Sequence, residues 1–112
     1  MARPRRLPPR AHVTSGYWPL AKLDGDAAAE AAQEFVVRLA AATEELSLRG
    51  VERLTGVDHT TVSRVLSGDT WPDMATVAHL ECGLGADLWP GRMAPDGSAR
   101  AAGEGTGGPK SK

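Results

Sequence analysis

Four polar side chains on one side of a short stretch offer the most concrete chemistry in this sequence. In DHTTVSRVLSG, residues 58–68, the apolar Val62, Val65 and Leu66 share one helical face, which leaves His59, Thr60, Ser63 and Arg64 to project from the other. An arginine so placed can make a bidentate contact to guanine O6 and N7, the commonest specific contact in a DNA major groove, contributing about 1–3 kcal/mol. A histidine can donate to the same atoms, and the methyl of Thr60 or Thr61 can meet a thymine methyl. Arg49, Thr61, Thr70 and the backbone amides from Met74 onward are candidates for phosphate, since exposed helix N-termini bind anions. The bland alternative for each of these residues is an ordinary solvated face.

Other chemistry is weaker. His79 and Cys82 stand at i, i+3, so both could face one metal, but zinc wants about four ligands and the only further histidines are His59 and His12. A surface histidine beside a buried thiol is the better reading, and no metal site is expected. Glu44 and Glu45 fall at a helix end and resemble a solvated cap region, not a catalytic pair. No strand is convincing, so no glycine-rich loop follows one. Neither an enzyme nor a cofactor is expected.

The outward face must be held by its neighbours. Ser47 can cap a helix whose Leu48, Val51 and Leu54 recur at i, i+3, i+6. Gly56 supplies the positive φ that a sharp turn after a helix needs. Val57 then packs inward, Asp58 caps the second helix, and Gly68 ends it. Upstream, Asp26 should cap an alanine-rich helix reaching about Thr43, with Ala28, Ala32, Phe35, Val36, Leu39 and Ala42 as its stripe. Glu34 and Arg38 form an i,i+4 pair in the favourable order. Ala27, Ala31 and Ala41, on the opposite side, are small enough for close packing of a second copy, but helix propensity explains them as well. Downstream, Asp73 should cap a fourth helix from Met74 to about Cys82, buried through Met74, Val77, Ala78, Leu80 and Leu84. Gly83 and Gly85 should break it, and Leu88 and Trp89 should close the bottom of the core.

The run TGVDHTTVSRVLSG, with WPDMATVAHLE and LGADLWP after it, resembles the Cro/cI-type (XRE-like) helix-turn-helix regulators of bacteria and phage over roughly residues 30 to 90. The resemblance implies an all-α, compact bundle of four to five helices, with a recognition helix of about residues 59–67 in the major groove. It also implies that the first residues of that helix and Arg64 read bases, and that the protein is a small, sequence-specific transcriptional regulator of double-stranded DNA. The chain departs from the family twice. Leu48 stands where a polar residue, often Gln, usually meets phosphate, and Glu52 stands where a small residue, often Ala, usually lies. The alternative reading is therefore a protein-interaction module, an antitoxin or an adaptor for the transcription machinery, built on a diverged helix-turn-helix.

Charge supports a local contact and not a general one. The chain has 112 residues and a formal net charge of −1. Residues 1–23 carry +5, residues 24–90 carry −8 and the remainder +2. So acidic a body should be repelled by phosphate, and DNA affinity must come from a local basic face and from the N-terminus. Residues 1–19 are expected as a basic, proline-rich, flexible arm in which Arg3, Arg5, Arg6 and Arg10 track a groove. Tyr17 and Trp18 are more aromatic surface than a linker needs, and could pack on the domain or meet a protein partner. Residues 20–90 are the expected helix-turn-helix domain, and residues 91–112, rich in Gly, Ala and Ser, a disordered tail. The lone Cys82 suits a reducing compartment, and no apolar run is long enough to span a bilayer. A cytoplasmic, nucleoid-associated protein is expected, with a homodimer left open.

Glu52 is the residue with the most specific expectation. At about 100° per residue it lies on the flank of the Leu48–Val51–Leu54 stripe. Its carboxylate should escape to water or reach an arginine, Arg64 or Arg38, and Glu52→Ala should be neutral or slightly stabilising.

Overall fold

An alanine-rich run becomes the longest helix because alanine forfeits no side-chain entropy there. In the computed structural model, which describes residues 7–98, this is α1, Ala27–Ala42, and Asp26 caps it by accepting from the Ala29 N–H. The Glu34–Arg38 pair forms as expected, at 2.9 Å. The buried stripe is Ala29, Ala31, Ala32, Phe35, Val36 and Leu39. Ala42 is exposed, and the buried Thr43 continues the stripe instead, its hydroxyl donating to Leu39 O at 2.8 Å. Ala31, expected on an open face, is packed inside, so it offers nothing to a second copy.

Three shorter α-helices follow, α2 (Leu48–Thr55), α3 (His59–Leu66) and α4 (Met74–Leu84), and a single 3-10 turn at Pro9–His12 precedes the whole. Each begins at the expected cap, with Ser47, Asp58 and Asp73 accepting from the N–H groups of Gly50, Thr60 and Thr76. Gly56 has φ 79°, the left-handed conformation that turns the chain from α2 into α3. The core joins Phe35, Val36 and Leu39 of α1 to Val51, Val57, Val62, Val65, Leu80 and Leu88.

Several apolar residues expected inside are outside. In α2 only Gly50 and Val51 are buried, while Leu48 and Leu54 are exposed. A helix of two turns touches the core with its middle and leaves its ends free. In α4 only Leu80 is fully buried; Met74 is 89% exposed and Ala78 is exposed too. Leu88 closes the core, its N–H held by a Glu81 carboxylate oxygen at 2.9 Å, but Trp89 stays half exposed.

Gly83 does not break α4. The helix runs through it to Leu84, and Gly85, at φ 62°, is the cap. Gly83 is there for close approach: a Cβ would lie 2.5 Å from Leu54 O and 2.7 Å from the Thr55 Cα. α2 and α4 meet backbone to backbone at this point.

The all-α expectation needs one correction. Val13–Ser15 (β1) and Lys22–Leu23 (β2) form a small antiparallel sheet, so the domain is mostly helical with one hairpin. Strands of three and two residues are too short to show the alternation by which strands are read. The hairpin is held from outside, by the Gln33 side-chain amide donating to Pro19 O and Ala21 O at 2.7 and 2.6 Å. Residues 91–98 contain only turns and irregular chain, and the rest of the expected tail lies outside the described residues. Among the described residues no helix is long and apolar enough to cross a membrane.

Candidate nucleic-acid interface

α3 is fixed at both ends before any outward residue is considered. Its inner side is Val62 and Val65, both buried. At its N-terminus the Asp58 carboxylate takes the Thr60 N–H at 2.9 Å, and the Glu52 carboxylate takes the His59 N–H at 3.2 Å and lies 2.8 Å from His59 Nδ1. At its C-terminus the last carbonyls, which have no partner inside the helix, are met by the N-terminal segment. The Trp18 indole N–H donates to Leu66 O, and just past the helix the Arg10 N–H donates to Gly68 O, each at 3.1 Å.

Thr60, Ser63 and Arg64 are exposed and His59 is half-buried, so the four expected base-reading residues share one outward arc, about 140° wide by helical geometry. Among the described residues the Arg64 guanidinium has no hydrogen-bond or ion-pair partner, which leaves its fork of donors for an outside acceptor.

The expected phosphate-binding residues are less uniform. Arg49 is exposed beside Glu52, Arg53 and Gly56 on the surface next to the turn. Thr61 and Thr70 are half-buried. Met74 is well exposed at the start of α4, but the Asp73 carboxylate already takes the Thr76 N–H at 2.8 Å, and its charge opposes an incoming phosphate.

The basic arm is changed most. From Leu7 onward the segment is packed on the domain: Pro9 is fully buried, and Leu7 O accepts from the Trp71 indole N–H at 2.8 Å. Arg10 forms an ion pair with Asp69 at 2.9 Å, so its charge is already matched. Trp18 packs against the core while Tyr17, at the hairpin tip, is 91% exposed. Arg3, Arg5 and Arg6 lie outside the described residues.

Among the described residues no arginine reaches Glu52; its partner is His59, seven residues on and across the Gly56 turn. Sequence spacing could not show this, because the contact exists only once the turn folds His59 back. The expectation for Glu52→Ala reverses accordingly. The Glu52 carboxyl is held below its ordinary range, first by the His59 ring and then by the His59 backbone N–H, against a smaller opposing effect of burial. A group whose folded value is depressed stabilises above its unfolded value and loses that contribution as pH falls through the folded one. Glu52→Ala should therefore lower the melting midpoint by several degrees at neutral pH. The gap between variant and wild type should close as the pH falls through the depressed range of the Glu52 carboxyl. Circular-dichroism melts across pH decide it, and a variant as stable as wild type at neutral pH would restore the original expectation.

Among the described residues, Glu52, Asp58 and His59 form the cluster that lies close enough to share a metal ion, not His79 and Cys82. Its carboxylates already bond the first N–H groups of α3, and the positive end of a helix opposes a cation. We read it as a helix cap. Neither family models, nor curated proteins, nor solved structures give a match to this chain.

Proposed function

We propose that this domain binds double-stranded DNA sequence-specifically, as a small transcriptional regulator of the Cro/cI type acting without a cofactor. α3 is its recognition helix and enters the major groove. The observation that carries the reading is the outward face of α3. It presents His59, Thr60, Ser63 and an Arg64 without a partner among the described residues, on a helix fastened at both ends. Such fastening matters because base readout needs side chains held in register. Residues spent only on solvation would not require it. A cytoplasmic, nucleoid-associated location follows from this reading.

Selection from a random-sequence duplex library tests it. Enrichment of one short motif supports the reading, and recovery of no motif, with no binding at low salt, sinks it.

The alternative, a protein-binding module, draws support from the hairpin tip. Tyr17 and Leu20 are 91% and 83% exposed there, an unusual display for large apolar side chains. In that case a partner covers the tip and DNA is not bound.

The contribution of the arm can be separated from the fold. Deletion should stop at Arg6, because Pro9 and Arg10 belong to the packed domain. Removing residues 1–6 takes away Arg3, Arg5 and Arg6. The slope of log K against log salt should shrink by about 0.9 per lost phosphate contact, at most about 2.7, with the selected motif unchanged. An unchanged slope would show that these arginines touch no phosphate.

A further inference from the structure

The Glu52–His59 contact does more than cap a helix if α3 reads DNA, and this inference rests on that reading. An ionised carboxylate only accepts hydrogen bonds. With Glu52 Oε1 at 2.8 Å from His59 Nδ1, the proton of the neutral ring must sit on Nδ1. The same oxygen also accepts the His59 backbone N–H, which ties the ring to the start of α3 from an atom on α2. Nε2 is then the free nitrogen: among the described residues it has no partner, and the half-buried ring belongs to the outward arc.

We propose that Glu52 is a positioning residue for base readout, which holds His59 so that Nε2 alone meets the DNA, as an acceptor when the ring is neutral and as a donor when it is protonated. Nothing else in the sequence predicts which way this ring reads. As an acceptor Nε2 suits the exocyclic amino group of adenine or cytosine; as a donor it suits guanine O6 or N7. One base pair should therefore change its preference with pH while the pair read by Arg64, always charged, does not. The charged groups around the ring are Glu52 from α2 and Asp58 at the α3 cap, whose Oδ1 lies 3.9 Å from Nδ1. Arg49 and Arg53 line one surface recess with Glu52. Asp58 cannot replace Glu52, since its other oxygen is held by the Thr60 N–H.

Glu52→Gln is the informative variant. The amide keeps the size and can still accept from the His59 backbone N–H, but it can donate or accept at Nδ1 and so no longer dictates the tautomer. Library selection with the full chain at about pH 8.5 and about pH 5.5 provides the test. The base pair in question is the one whose preference His59→Ala erases. In the wild type it should favour adenine or cytosine at the higher pH and guanine at the lower, by about five-fold each way. In Glu52→Gln the adenine or cytosine preference at the higher pH should be lost, because either tautomer of the neutral ring is then available, while the guanine preference at the lower pH and the Arg64 pair are kept and circular dichroism shows a folded protein. A preference at that pair that ignores pH in the wild type, or an adenine or cytosine preference at the higher pH that survives Glu52→Gln, overturns the proposal and leaves DNA binding standing. A wild type that selects no site at either pH overturns both.

Discussion

Gly83→Val should destabilise the domain by about 3 kcal/mol or more, a large fraction of what a chain this size has to lose. The clash is with main chain and not with a movable side-chain end. A Cβ at 83 would sit 2.5 Å from Leu54 O and 2.7 Å from Thr55 Cα, both in the last turn of α2. Separating α2 from α4 to make room displaces the Gly56 turn and, through it, the α3 N-terminus. The damage should therefore reach the candidate interface as well as the core. Gly83→Ala meets the same backbone but regains about 1 kcal/mol of helix propensity, so it should fall between valine and wild type. Urea titrations of the three proteins rank them. A valine variant within about 1 kcal/mol of wild type would mean that the helices part easily and that the close approach does not set the geometry of α3.

Arg64→Ala should leave the melt almost unchanged, because the side chain is exposed and has no partner among the described residues. On the selected duplex it should weaken binding by about 1–3 kcal/mol, roughly five- to 150-fold, and flatten preference at one base pair. Affinity for random duplex should fall much less. Equal losses on selected and random DNA would make Arg64 a phosphate contact, and the base-reading role would pass to the residues nearer Asp58. The affinity measurements must be made at one stated salt concentration, since the phosphate contribution varies steeply with it.

What could be read from the chain was local. Asp26, Ser47, Asp58 and Asp73 each cap the helix expected of them, because a cap bonds an N–H two or three residues away. Gly56 turns the chain where only positive φ will do. The outward face of α3 was legible for the same reason: the inward valines define it by period alone. What could not be read was tertiary. Gly83 resembles a helix breaker until Leu54 is seen against it. Leu54 and Met74 keep the helical period, but period does not say how far along a helix the core extends. Arg10 looked like part of a free arm because its ion pair with Asp69 and its backbone bond to Gly68 O span more than fifty residues of sequence. Trp18 and Gln33 hold a hairpin whose strands are too short to announce themselves.

The central claim is that the outward face of α3 is a DNA-reading surface, and nuclear magnetic resonance of the isotope-labelled protein tests it most directly. Amide shifts are mapped while the selected duplex is added. The account predicts the largest changes from His59 to Arg64, with further changes at Arg49 and Thr70 and little at Tyr17, Leu20 or Trp89. Shifts gathered at the hairpin tip, or no shifts at all at low salt, would contradict it.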